Sequence, residues 1–165
     1  MNTSDATAAA REVRRRWRAG EAPDGDVIVY ADGSLSVMDL TCFSSPHGLE
    51  DPRAERWEWV ELLRATAWTA GDWVDVDCVL ATCAYAGGRA LAGESAAHGS
   101  IGWVALTRDD DPGAFAWVAV SGGSNPFAEV TLDETTVTAV STTGHVWAFP
   151  RNAPHQVRIT TAPDH

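Results

Sequence analysis

Two carboxylates stand two residues apart at Asp75 and Asp77, in a segment whose apolar and polar residues alternate. On a β-strand this spacing places both side chains on one face, where paired carboxylates can share a cation or a substrate proton. The predicted strand runs from Trp73 to Tyr85, with Cys83 on the carboxylate face. Its other face is the predicted core and carries Val74, Val76, Cys78 and Leu80. We therefore take Asp75 and Asp77 as candidate site residues.

Other sets of reactive residues lack the pattern that their chemistry needs. The run Gly93-Glu94-Ser95-Ala96-Ala97 resembles the nucleophile elbow of α/β-hydrolases, but Ala97 replaces the last glycine and a strand follows instead of a helix. Four residues are of types that bind zinc, but no pair has the spacing of a zinc motif: Cys42, His47, Cys78 and Cys83. We therefore predict no catalytic residue, no metal and no cofactor.

Eight tryptophans are many for a chain of 165 residues. Alternation places Trp103, Trp117 and Trp147 each on an apolar strand face, and His145 shares the face of Trp147. Such residues fill a β core or line a ligand pocket. The pocket candidates are therefore Trp103, Trp117, His145 and Trp147.

The elements that must position these residues are mostly short strands separated by turns. Residues 101–107 and 114–120 are apolar on both faces, so we expect two central strands that are covered on each side. Shorter alternating runs continue to residue 161, which predicts a meander of eight to ten strands. A hairpin is predicted around Asp32-Gly33, between residues 27–30 and 35–41.

Helices are predicted only in the N-terminal half. One begins near Ser4 or Asp5, ends at Arg18 before Gly20, and docks by a stripe of Val13 and Trp17. For residues 53–66, after Asp51-Pro52, the apolar spacing favours a helix. The alternation of Trp57, Trp59, Glu61 and Leu63 keeps a strand as the alternative.

The predicted fold class is mainly β (α+β), an antiparallel β-sandwich or partly open barrel with one or two peripheral helices. Residues 1–20 form a helix packed on a single domain of residues 21–165. No apolar run is long enough to span a bilayer, and the N-terminus lacks a signal-peptide pattern. We therefore expect a cytoplasmic protein.

Charge narrows the range of partners. The net charge is −11, while residues 1–19 carry +3, so the rest of the chain carries −14. An acidic body repels phosphate groups, which argues against direct binding to nucleic acid or anionic membranes and favours a basic protein partner. Asp109, Asp110 and Asp111 form a predicted exposed hairpin tip and are candidate partner-binding residues, as are Asp75 and Asp77.

Three segments carry a family resemblance: GESAAHGSIGWVALT, SGGSNPFAEVTL and STTGHVWAFP. Together they resemble uncharacterised small acidic β-rich proteins of GC-rich bacteria. The resemblance covers the C-terminal half and implies no catalytic or binding residues.

The sequence therefore predicts a non-enzymatic protein-binding module, of the kind that an inhibitor or immunity protein uses to neutralise a basic partner. One alternative is an enzyme or carrier with a β pocket for a small molecule, using Asp75 and Asp77 or His145 for acid–base chemistry. Another is a structural subunit of a larger assembly, and self-association stays open.

Overall fold

Thirteen strands and one α-helix account for most of the chain that the computed structural model describes, which is residues 3–44, 55–65, 72–95 and 99–161. The helix α1 covers Thr3–Arg18, and a short 3-10 helix covers Pro154–Gln156. The strands are β1 Glu21–Pro23, β2 Val27–Tyr30, β3 Leu35–Ser44, β4 Glu55–Ala65, β5 Trp73–Asp75, β6 Cys78–Tyr85, β7 Gly88–Glu94, β8 Gly102–Arg108, β9 Phe115–Ser121, β10 Phe127–Leu132, β11 Thr136–Ser141, β12 His145–Pro150 and β13 Arg158–Thr161. The mainly β prediction is confirmed.

Within these residues the strands form two antiparallel sheets. Eleven belong to one sheet in the order β10-β11-β12-β13-β4-β3-β2-β9-β8-β7-β6, and β1 pairs with β5 in a small ribbon. The large sheet is not closed into a barrel. The sheet is curved, and its two edges approach each other. The edge strand β10 lies close to β6 and β7 at the opposite edge without pairing with them. The result is an α+β sandwich.

The two faces of the central strands bury two separate apolar clusters. Trp117 of β9 and Val104 of β8 point into an inner cluster shared with β10, β11 and β12. Val118 of β9 and Trp103 of β8 point into an outer cluster, which α1 and the β1–β5 ribbon cover. The predicted coverage of these strands on both faces is therefore confirmed.

Helix α1 docks by the predicted stripe, since Val13 is buried and Trp17 packs against the outer cluster. The Trp17 indole contacts Trp103 and Phe115 edge to face, and its Nε1–H donates to the carbonyl oxygen of Pro112 at 2.9 Å. The helix also packs closely on Gly33, where a Cβ atom would lie 2.5 Å from the backbone nitrogen of Ala10. Helix α1 thus contacts the rest of the domain at both Trp17 and the β2–β3 turn.

The predicted hairpin around Gly33 is confirmed. Gly33 has φ +85°, and the backbone N–H of Ser34 donates to the Asp32 carboxylate at 2.9 Å. An aspartate that bonds the backbone two residues on, followed by a glycine with positive φ, stabilises this turn locally. It joins β2 to β3.

The helix predicted for residues 53–66 is wrong, and the strand alternative is right. Residues 55–65 form β4, which pairs with β3 from Ser44↔Glu55 to Leu35↔Ala65 and with β13 on its other side. Tertiary pairing with two neighbours outweighs the local helical spacing, because a strand between two others satisfies its backbone hydrogen bonds on both edges. The predicted helix start at Asp51-Pro52 lies outside the described residues.

Candidate functional site

The most exposed apolar surface of the described residues lies on the edge strand β6. Val79, Leu80 and Tyr85 are 48%, 44% and 43% exposed, and we call these three residues the β6 surface. Val79 lies on the outer face of β6, whereas Tyr85 lies on the same face as Cys83, which packs towards the inner cluster. Exposed large apolar side chains on an edge strand make this strand a candidate interaction site.

The continuous strand predicted for Trp73–Tyr85 is wrong in two respects. The chain leaves the β1–β5 ribbon after Asp75 and enters the large sheet at Cys78, so the segment forms two strands. The pairing of β6 with β7 then shifts between Val79 and Ala81, which makes Leu80 the extra residue of a β-bulge. A bulge reverses the alternation of faces.

The predicted core face is therefore right before the connection between β5 and β6 reaches Asp77, and wrong within β6. Val74 and Val76 are buried, but Leu80 is exposed. Cys83, predicted on the carboxylate face, packs with Ala81 against the inner cluster instead.

A groove begins beside Val79 on the outer face of β6, β7 and β8. Val79 pairs with Gly93, and Gly93 pairs with Trp103, so these three residues lie side by side on one face. A Cβ atom on Gly93 would lie 2.9 Å from the Trp103 indole, so the missing side chain is what lets the ring lie across β7. The indole Nε1–H donates to the Glu94 carbonyl oxygen at 3.1 Å, and the ring is fully buried beneath the groove.

The groove, which we call the Trp103 groove, has a volume of about 330 Å³. It lies between the end of α1, the strands β6 to β8 and the β8–β9 hairpin, and its principal lining residues are Trp17, Asp77, Val79, Leu91, Trp103 and Pro112. Its walls are thus mainly apolar, and its two charged lining residues are Asp77 and Arg18. Of the predicted candidates, Asp77 and Trp103 come together here.

The two predicted carboxylates have different positions. Asp75 lies on β5, opposite Glu21, whereas Asp77 lies in the connection to β6 and borders the groove. The connection is held to the end of α1, because the Val76 N–H donates to the Gly20 carbonyl oxygen at 2.7 Å. Both carboxylates are exposed, and neither forms an ion pair within the described part of the chain.

The acidic hairpin tip is exposed as predicted, but arginines offset much of its charge. Asp109 forms an ion pair with Arg89 at 2.7 Å, and Asp110 forms one with Arg108 at 2.8 Å. The Asp111 carboxylate accepts the backbone N–H of Gly113, which stabilises the turn. The tip is therefore internally bonded, in contrast to Asp75 and Asp77.

Of the remaining pocket candidates, Trp117 lies only in the core, whereas His145 and Trp147 also line a cavity. Trp117 is buried in the inner cluster, where its Nε1–H donates to the Arg151 carbonyl oxygen at 3.0 Å, so it borders neither cavity described here. His145 and Trp147 line a second cavity of about 190 Å³, with Ser124, Asn125, Thr143 and Ile159.

Hydroxyl groups connect His145 to the turn between β11 and β12. Its Nδ1 lies 3.1 Å from the Thr143 hydroxyl, which lies 2.9 Å from the Ser141 hydroxyl. The Ser141 hydroxyl also accepts the backbone N–H of His145. These hydroxyl groups orient the imidazole towards the turn.

Ser95 and Cys78, two of the residues that lack a motif in the sequence, lie in the described part of the chain. Ser95 is buried, at 2% exposure. Partial burial raises the pKa of the Cys78 thiol, and its hydrogen bond to Glu94 adds to the effect, which disfavours the reactive thiolate. Among the described residues no three His, Cys, Asp or Glu side chains are grouped to hold a metal ion; His47 and the Cys42 side chain lie outside that description.

The sequence does not indicate that Leu80 and Tyr85 are exposed on β6 or that Leu91 lines the groove. The one available signal is that residues 78–85 contain no charged residue. That signal is informative only when the strand is known to lie at the edge of the sheet, which depends on the order of all eleven strands.

The chain matches no protein-family model, and a search of curated protein sequences finds no significant match. No helix in the described ranges is both long and apolar enough to cross a membrane. The function is therefore argued from the geometry of the β6 surface and the Trp103 groove.

Proposed function

We propose that the protein is a non-enzymatic binding module for a basic protein, with the β6 surface and the Trp103 groove as its contact site. The observation that carries the proposal is the exposure of Val79, Leu80 and Tyr85 along an edge strand, with Val79 bordering a groove that has mainly apolar walls. Apolar anchors that a partner can desolvate supply most of the binding energy in protein interfaces.

Charge supports a basic partner. The chain outside residues 1–19 carries −14, and Asp75 and Asp77 form no ion pair among the described residues. Carboxylates that no internal arginine neutralises attract a basic protein and orient its approach. The hairpin tip contributes less in this proposal, because Arg89 and Arg108 already bind Asp109 and Asp110.

More specifically, we propose that binding neutralises the partner, as an inhibitor or immunity protein does. A cytoplasmic location stays a prediction. The small-molecule alternative is favoured by the Trp103 groove, which has a volume of about 330 Å³ and is lined by Asp77, and by the cavity beside His145. That cavity has a volume of about 190 Å³, whereas ligand pockets usually measure about 300–1,000 Å³. Asp75 and Asp77 do not line it.

The test is capture of partners from lysate of the source organism at low and high salt, with native mass spectrometry of the eluate. The variant Val79→Ser/Leu80→Ser/Tyr85→Ser changes the β6 surface, and Ala128→Ser/Thr131→Ser changes exposed residues of β10 as a matched control. We expect wild type and control to retain the same basic protein at low salt and the β6 variant to lose it.

Three outcomes contradict the proposal. Equal retention by the β6 variant would remove this surface from the contact site. A bound small-molecule mass that disappears in His145→Ala would instead support the pocket alternative. Copies of this chain alone in the eluate would support the structural-subunit alternative.

A further inference from the structure

We infer that an extended segment of the partner pairs with the free edge of β6 and places one Arg or Lys side chain in the Trp103 groove. The inference rests on the proposed function and specifies how the basic partner is recognised. An extended peptide that adds to a sheet edge gains affinity from main-chain hydrogen bonds and specificity from pockets for alternate side chains.

The edge of β6 is suited to pairing. Within the described residues β6 pairs only with β7, and β10 approaches both β6 and β7, so it stacks over the pair instead of extending the sheet. Proteins usually protect an edge strand with charged residues or proline. The eight residues of β6 include neither, and the bulge at Leu80 is the one protecting irregularity in its pairing with β7.

The register directs one partner side chain to the groove. Residues directly opposite each other on adjacent strands share a face, as Val79, Gly93 and Trp103 do across β6, β7 and β8. A strand added beyond β6 continues this row, so its residue opposite Val79 projects from the same face. That residue lies at the mouth of the groove, which Val79 lines.

The lining of the groove selects a long side chain with a cationic end. Trp17, Leu91 and Pro112 offer apolar contact for an aliphatic stem, and the indole face of Trp17 also attracts a cation. The Asp77 carboxylate at the side of the groove then receives the charged group. Arg18, the basic residue of the lining, lies next to Gly113 and Asp111.

Charge also distinguishes between two occupants of the edge. Pairing of β6 with β6 of a second copy brings together two chains that each carry −11. The carboxylates of Asp75 and Asp77, which no arginine of the described residues neutralises, would then approach their equivalents. Like charges at an interface oppose association, whereas a basic segment is attracted.

The experiment selects binders from a library of random extended peptides displayed on phage, with the full-length protein as the target. We expect the selected peptides to alternate β-branched and polar residues and to carry Arg or Lys at one fixed position. The strongest peptide is then synthesised and its dissociation constant measured by fluorescence anisotropy. Asp77→Asn should weaken binding about tenfold and remove the preference for a cation, which corresponds to the loss of one charge-assisted hydrogen bond.

Glu134→Gln is the matched control, because it removes the same charge from an exposed residue in the turn after β10 that does not line the groove. N-methylation of each peptide bond in turn tests the main-chain pairing. Alternate amide groups of an added strand face β6, so loss of binding should recur at every second position. Thermal unfolding of both variants checks that the fold is unchanged.

The inference is wrong if no peptide is enriched, if no position prefers a cation, if Asp77→Asn and Glu134→Gln bind alike, or if the N-methyl pattern lacks the two-residue period. The proposed function survives these outcomes as long as capture from lysate depends on the β6 surface. It fails separately if that capture does not change in the β6 variant.

Discussion

The central strands β8 and β9 and the edge strand β6 have similar sequences but different surroundings. GWVALTR, FAWVAVS and CVLATCAY are all rich in small and apolar residues. Apolar residues of β8 and β9 are buried on both faces, whereas β6 exposes Val79, Leu80 and Tyr85. The position of a strand in the sheet, more than its composition, therefore decides whether its apolar residues stabilise the fold or remain available to a partner.

The largest expected effect compares an aromatic residue in each region. Trp117→Ala should lower the free energy of unfolding by about 3–5 kcal/mol, because it empties a buried site and removes the hydrogen bond to Arg151. Tyr85→Ala on β6 should cost less than about 1 kcal/mol, because Tyr85 is already half exposed. Urea-induced unfolding of both variants measures the difference, and equal losses would show that β6 is a core strand.

A second prediction concerns the strand between the two regions. Gly93→Ala should lower the free energy of unfolding by about 1–3 kcal/mol, because the new Cβ would overlap the Cys78 carbonyl oxygen and press on Trp103. Hydrogen exchange should show faster opening of the β6–β7 pair. The control is Gly122→Ala, where the added Cβ has no neighbour within 4 Å; similar exchange in both variants would contradict the prediction.

A smaller effect concerns α1, which covers the outer face of β8 and β9. Hydrogen bonds from Arg15 and then Arg16 lower the pKa of Glu12 from 4.5 to about 2. Because the pKa is lower in the folded state, this stabilisation is fully present above about pH 4.5 and is lost as the pH falls towards 2.

Helix α1 should therefore loosen over this pH range, and far-UV circular dichroism can follow the change. In Glu12→Gln the part of the acid transition that belongs to α1 should disappear. Glu129→Gln removes the same charge from β10 and should leave that part intact. A transition of α1 that is identical in wild type and Glu12→Gln would show that this group does not control the helix.

The smallest expected effect is on the β6 surface. Leu80→Ser should change the free energy of unfolding by less than about 0.5 kcal/mol, because Leu80 is an exposed bulge residue. Leu106→Ser on β8, where the side chain is buried, should cost several times more. Comparable costs in urea unfolding would remove the contrast between the two regions.

Local patterns in the sequence predict the covered region well. Continuous apolar runs in residues 101–107 and 114–120 can be accommodated only by strands with neighbours on both faces. The stripe of Val13 and Trp17 likewise predicts how α1 docks. These predictions succeed because the signal lies within the element itself.

The exposed region depends on information that no short segment contains. The bulge at Leu80 arises from the match between β6 and β7, so alternation alone assigns the wrong face to Cys83. Residues 55–65 satisfy a helical and an alternating pattern together, and only pairing with β3 and β13 decides between them. The groove combines α1, three strands and a hairpin, which are distant in the chain.

The anchoring of Asp77 has a consequence for the thermodynamics of binding. The Val76 hydrogen bond to Gly20, and the close approach of Gly20 to the Asp77 Cβ, hold this part of the backbone in place before any partner arrives. The conformational entropy lost on association then comes mainly from the partner's segment. A cyclic peptide that holds the cationic segment extended should therefore bind more tightly than its linear form, with a smaller entropic penalty in calorimetry.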